Sequence, residues 1–87
     1  MSNRNFIWNL VLVGRIIESY VRENPRLVVD LYFPEEELDA IIISMGTHEF
    51  VGLERKYLMY HDLEELSAGD LCNKVLSILE RMTKKII

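Results

Sequence analysis

The chain has one cysteine, few glycines and no long apolar segment, and each scarcity excludes a class of protein. A single thiol, Cys72, cannot form an internal disulfide, so nothing indicates an oxidising compartment. The glycines are isolated and build no phosphate-binding loop; they occupy positions 14, 46, 52 and 69. The longest uncharged stretches, residues 5–14 and 40–47, are well short of the roughly 18 apolar residues that a membrane span needs. We therefore expect a cytoplasmic protein with an intact amino end, no signal peptide and no membrane contact.

The composition is that of a folded domain rather than of a disordered tail. Hydrophobic residues make up 49% of the 87 positions and charged residues 28%. A chain of this length holds one hydrophobic core, so residues 1–87 are predicted to form a single domain.

The net charge of −4 is unevenly distributed along the chain. Residues 30–70 contain eleven acids and only two bases, a net charge of −9, whereas residues 1–29 carry +2 and residues 71–87 carry +3. The middle of the chain is therefore predicted to form an acidic surface between two mildly basic ends.

Apolar periodicity predicts the order of secondary structure elements. Apolar residues recur every three or four positions over residues 5–22, which predicts an amphipathic helix ending before Pro25; its stripe is Phe6, Leu10, Val13, Ile17, Tyr20 and Val21. Residues 26–33 alternate as a strand does, and residues 38–45 form a second strand rich in β-branched side chains. A hairpin joining these strands is the simplest topology. The isoleucine run at 41–43 favours a central strand contacted on both faces.

The later part of the chain predicts one or two further strands and a second helix. A turn is expected at residues 46–48, and residues 49–61 are interpreted as one long bent strand or two short ones. Ser67 is an N-cap candidate with Asp70 three residues later; the helix stripe is Leu71, Val75, Ile78, Leu79, Met82 and Ile86. The predicted fold is α+β: helix, mainly antiparallel sheet of three to four strands, helix.

Candidate catalytic and metal-binding residues are few and lack the expected spacings. Cys72 could pair with a histidine as a nucleophile, but it flanks the apolar stripe, where a lone cysteine usually packs as a small hydrophobe. His48 and His61 each precede an acid, yet neither shows the two-ligand spacing of a metal site. The glutamates at 35–37 lack the glycine and alternating donors of a calcium loop. We expect no catalytic residue, cofactor, metal or small-molecule substrate.

The order helix, three strands, helix resembles that of double-stranded-RNA-binding domains, but the likeness stops at element order. That family places a basic cluster at the start of its last helix, whereas residues 67–73 contain no lysine or arginine and include Asp70. Phosphate contacts supply most of the affinity in such complexes, and an acidic segment repels a phosphate backbone. Direct binding to nucleic acid is therefore not expected.

The first helix carries more apolar surface than one stripe requires. Trp8, Val11 and Leu12 lie away from the predicted core stripe and share that side with Arg15. Tryptophan is among the residues most enriched at binding hot spots, so these four residues are the predicted partner-binding surface. The alternative is that the helix lies in a groove that buries most of its circumference, for example against the second helix.

These observations favour a small non-enzymatic accessory or regulatory protein that forms a homodimer or a complex with another protein. Its size and its lack of a catalytic pattern suggest the accessory proteins of phages and mobile elements. One alternative is an acidic decoy that inhibits a protein handling nucleic acid. Another is a small enzyme or ligand binder built around His48 and His61.

Overall fold

The chain folds as a helix, three antiparallel strands and two further helices, which confirms the predicted α+β class. The computed structural model describes residues 3–34 and 39–87. Its elements are α1 (Asn3–Glu23), β1 (Leu27–Tyr32), β2 (Ala40–Thr47), β3 (Glu54–Met59), α2 (Tyr60–Glu65) and α3 (Ala68–Ile86). The predicted glutamate connection at positions 35–37 lies outside the described residues.

The sheet has β2 at its centre, with β1 and β3 antiparallel on either side. Val29 of β1 lies opposite Met45 of β2, so the predicted hairpin between the first two strands is confirmed. On the other side of β2, Ile41 lies opposite Leu58 of β3. β2 continues through Thr47, because residues 46 and 47 still pair with β1 instead of forming the predicted turn.

The two faces of the sheet differ because residues opposite one another across neighbouring strands point to the same side. The side that carries Ile41, Met45 and Leu58 is buried against α1 and α3. We call the other side, which carries Tyr32 and Tyr57, the outer sheet face. The core comprises Val13, Ile16, Ile17, Leu27, Ile41, Ile43, Met45, Leu58, Leu63, Leu71, Val75, Leu79 and Met82.

The segment between β2 and β3 is a folded-back loop, so the short strand that the sequence left open for residues 49–53 does not form. The Thr47 hydroxyl accepts a hydrogen bond from the Phe50 amide, and the Thr47 amide donates one to the Phe50 carbonyl. Gly52 then takes a positive φ of 67°, a conformation that glycine adopts without steric cost. The loop reaches over β2 on the outer sheet face, where it covers Gly46 and Ser44. Ile42 on that face is only half-buried, so the expected contact on both faces of β2 is partial.

The prediction of strand up to residue 61 is also wrong, because α2 begins directly after β3. A helix of six residues is unstable alone, and contacts with α1 stabilise this one. The side-chain amide of Asn9 donates to the carbonyls of Leu63 (2.7 Å) and Leu66 (3.1 Å). The Phe6 and Tyr60 rings meet edge to face at 5.2 Å.

α1 and α3 agree closely with their predicted positions. α1 ends at Glu23, where the Asn24 side chain donates to the Tyr20 carbonyl and satisfies one terminal acceptor. Two buried residues of α1, Asn9 and Ile16, were not part of the predicted stripe. α3 buries Leu71, Val75, Leu79 and Met82, as its stripe predicted; Ile78 and Ile86 are half-buried. No helix in the described part of the chain is both long and apolar enough to cross a bilayer.

Ser67 caps α3 as predicted, because its hydroxyl accepts the Asp70 amide at 3.2 Å. We expect Ser67→Ala to lower the free energy of unfolding by about 1 kcal/mol, the usual effect of losing an N-cap acceptor. Urea unfolding followed by circular dichroism would measure the change. Ser19→Ala, at an exposed position inside α1, is the control and should not destabilise. Equal midpoints for both variants would contradict the capping role.

Candidate functional site

One side of α1 carries three exposed apolar side chains. Trp8 is 65% exposed, Ile7 57% and Val11 45%, although the opposite side of the same helix packs into the core. We define the outer face of α1 as the side bearing Ile7, Trp8, Val11, Gly14, Arg15 and Glu18. A side of a helix that is left in water is normally polar, so this concentration of apolar surface is a candidate for interaction.

The structure brings the four predicted partner-binding residues together. Trp8, Val11, Leu12 and Arg15 line one shallow depression of about 270 Å³, together with Asn9 and Ala68. Leu12 is half-buried and packs against the core, so it forms the floor rather than a protruding contact. Ile7 was missed in the sequence interpretation, although it lies one turn before Val11 and the spacing of four could have identified it.

A second depression continues along the boundary between α1 and α3. It measures about 360 Å³, and Arg15 lines both depressions; the other lining residues are Ile16, Ser19, Tyr20, Glu23, Cys72 and Leu76. The Tyr20 hydroxyl lies 2.8 Å from the Thr83 hydroxyl, so this part of α1 is tied to α3. The apolar floor and charged rim resemble the make-up of protein interfaces.

The thiol and the histidines are not placed for joint chemistry. Cys72 lines the depression between α1 and α3, packed against the core as expected, whereas His61 lines a separate depression with Asp39 and Glu64. His48 lies in the β2–β3 loop, where its Nε2 is 2.9 Å from the Pro25 carbonyl oxygen. Over residues 3–34 and 39–87, no three His, Cys, Asp or Glu side chains converge as a metal ion would require.

Two of the eleven acids in residues 30–70 lie beside bases of α3. Asp62 contacts the Lys74 ammonium at 2.5 Å, and Glu54 lies 3.8 Å from that of Lys85. The basic end of the chain therefore packs beside the acidic middle, and the fold brings opposite charges together. Such neutralisation weakens the field that a decoy of a nucleic-acid backbone would need.

The outer sheet face is a second apolar surface, which the sequence interpretation did not identify. Tyr32, Ile42 and Tyr57 form a row across the three strands, because they are register partners, and Met59 lies beyond it. Both tyrosines are about half exposed. The available signal was the alternation in residues 26–33, which already placed Tyr32 on the side away from Leu31.

Comparisons with protein-family models, with curated proteins and with solved structures give no match.

Proposed function

We propose that this chain is a small non-enzymatic accessory protein that acts by associating with another protein chain through the outer face of α1. The observation that carries the proposal is the exposure of Trp8, together with Ile7 and Val11, on a helix whose other side is firmly packed. An indole buries a large area on binding and dominates many interfaces.

The support of α1 by its neighbours favours binding. Asn9 joins α1 to α2 through two hydrogen bonds, and Tyr20 joins it to α3, so the helix is held before a partner arrives. A helix that is already held in place loses less entropy on association. A larger part of the free energy gained by burying Trp8 therefore contributes to affinity. Arg15, at the edge of the apolar side chains, suits the polar rim that surrounds such contacts.

Binding is favoured over catalysis because the polar groups do not converge. Cys72, His48 and His61 lie in three different places, and the depression that contains Trp8 is lined mainly by apolar side chains. A catalytic site needs a nucleophile or base within hydrogen-bond reach of its partner group.

We expect Trp8→Asp to abolish association, because it removes the largest apolar contact and introduces a charge that would be desolvated. The measurements are sedimentation velocity over a wide concentration range and affinity capture from the native host. Val51→Asp is the matched control, since Val51 is 70% exposed in the β2–β3 loop, outside this surface. Circular dichroism should show both variants folded. Equal loss of binding in both variants, or none in either, would contradict the proposal.

A further inference from the structure

The two depressions beside α1 adjoin and together form a groove between α1 and α3. Arg15 lines both of them, so the depression that contains Trp8 lies next to the one that contains Glu23. From residue 8 to residue 23 the groove extends about 22 Å, at the helical rise of 1.5 Å per residue. We call it the α1–α3 groove; its central part is lined by Leu12, Arg15, Ile16 and Ser19 of α1 and by Cys72 and Leu76 of α3.

Both walls of the α1–α3 groove are helices that run in the same direction. Trp8 and Ala68 line the same depression, and further along both helices the Tyr20 hydroxyl lies 2.8 Å from that of Thr83. The lining residues of α3 recur at every fourth position, 68, 72 and 76, as residues on one line of a helix do. Two packed helices of this kind present ridges and a groove into which a third helix fits.

A segment that lies in this groove receives no backbone hydrogen bonds from the middle of either wall. The amides and carbonyls in the interior of α1 and α3 are paired within each helix, and the floor is apolar at Leu12, Ile16 and Leu76. An extended peptide would therefore bury polar backbone groups without partners, which is costly. A helix pairs its own backbone groups, and its side chains at every third or fourth position match the repeat of the walls.

Arg15 gives the α1–α3 groove a positive charge near its midpoint. In the part of the chain that the structure describes, its guanidinium forms no ion pair, whereas Arg22 of the same helix is paired with Glu18 at 3.1 Å. Glu23 supplies the opposite charge about two helical turns after Arg15. A helix that complements both charges carries an acid near its middle and a base about two turns away.

We infer that the α1–α3 groove binds an amphipathic α-helix of another protein, with an aspartate or glutamate paired to Arg15 and a lysine or arginine near Glu23. A helix of about 15 residues spans the groove, and its apolar side chains contact Trp8 and Leu12. A second copy does not offer such a helix, because the apolar stripes of its α1 and α3 are already buried in its own core. The inference rests on the proposed function and names the kind of partner.

Selection from a displayed library of helical peptides tests the inference, with the full chain as bait. The peptides contain no tryptophan, so that Trp8, the single tryptophan of this chain, reports binding by its fluorescence. We expect the enriched peptides to have apolar residues at spacings of three and four and an acid beside that stripe. Their binding should shift the Trp8 emission to shorter wavelength, because the bound helix excludes water from the indole.

Ser19→Arg should obstruct the α1–α3 groove without disturbing the core, because Ser19 is exposed and lines the groove. We expect the dissociation constant of the selected peptides to rise at least about tenfold, since the added side chain brings both bulk and a charge that binding would desolvate. Val51→Arg is the matched control: it adds the same charge at a residue that is 70% exposed in the β2–β3 loop, outside the groove. Circular dichroism should show both variants folded.

Arg15→Glu tests the charge pairing. We expect it to weaken the acidic peptides about fivefold, the effect of replacing one exposed attraction by a repulsion. Peptides in which the acid is replaced by lysine should show the opposite preference, binding Arg15→Glu more tightly than wild type. If Arg15→Glu still prefers the acidic peptides, the pairing is overturned.

The groove inference and the proposed function fail in different ways. The groove inference is overturned if no helical peptide is enriched, or if the selected peptides bind wild type and Ser19→Arg equally. A wild-type dimer that Ser19→Arg dissociates would also overturn it, because the occupant would then be a second copy. If Trp8→Asp loses a protein captured from the host while Ser19→Arg retains it, the groove inference is overturned and the proposed function stands. If the selected helices bind the groove but Trp8→Asp loses no captured protein, the proposed function is overturned.

Discussion

Replacing Gly46 with alanine is expected to lower the free energy of unfolding by about 3 kcal/mol or more, since the added methyl group overpacks a site closed by backbone. A Cβ at residue 46 would lie less than 3.0 Å from the Phe50 carbonyl oxygen, the Gly52 nitrogen and the Val51 Cα. Backbone atoms cannot rotate away as a flexible side chain can. The β2–β3 loop would have to lift from the outer sheet face, or β2 would have to bend.

Chemical denaturation followed by tryptophan fluorescence and circular dichroism would measure this change. Gly69→Ala is the matched control, because a Cβ at Gly69 would meet nothing within 4 Å. We expect the control to unfold at or above the wild-type midpoint. A Gly46→Ala protein as stable as wild type would show that the loop does not rest on β2 as described.

The second large effect is expected from Asn9→Ala, which should lower the free energy of unfolding by about 2–3 kcal/mol, because one buried and one part-buried hydrogen bond to backbone carbonyls are lost. These carbonyls belong to Leu63 and Leu66 at the end of α2, and the last carbonyls of a helix have no amide donor within the helix. The loss should therefore appear first in α2, whose six residues depend on α1 for stability.

Hydrogen exchange would locate the effect, and urea unfolding would measure its size. The α2 amides should exchange faster in Asn9→Ala than in wild type, with a smaller change in α3. Asn5→Ala is the control, since Asn5 is an exposed asparagine of the same helix. Uniform acceleration over the whole chain would indicate a general loss of stability and would contradict a specific link between α1 and α2.

Asn9 also connects stability with the proposed function. It lies next to Trp8 in the chain and borders the same depression, but its amide faces inward to α2. We expect this buried contact, together with the core contacts of α1, to hold the helix in the rotation that leaves Trp8 exposed. If Asn9→Ala weakens association while leaving the exposed apolar residues intact, this orienting role gains support.

The sequence alone allowed prediction of α1, α3, the first hairpin and the cap of α3, because each depends on spacing within a short segment. Apolar side chains every three or four residues define α1 and α3, and alternation defines β1. Ser67 and Asp70 are spaced as in an N-terminal helix cap, and in the structure the Asp70 amide donates a hydrogen bond to the Ser67 hydroxyl.

The segment from residue 48 to residue 65 could not be predicted in this way. Phe50, Val51 and Leu53 have the composition of a strand, but these residues fold back over Gly46 as a loop. α2 contains one buried residue, Leu63, so it shows little periodicity, and its stability comes from Asn9 and Phe6 more than fifty residues away. Long-range partners of this kind leave no local pattern.

The candidate site also has one part that local spacing predicts and one part that depends on the tertiary structure. Residue spacing by itself determined that Trp8, Val11 and Leu12 lie off the core stripe of α1, because the helical repeat assigns each residue an angle. Only the tertiary structure decided which of them are exposed. Leu12 packs against the core and is half-buried, whereas Trp8 and Val11 remain 65% and 45% exposed. An angle on a helix is a local property, but burial depends on where the other elements of the chain come to lie.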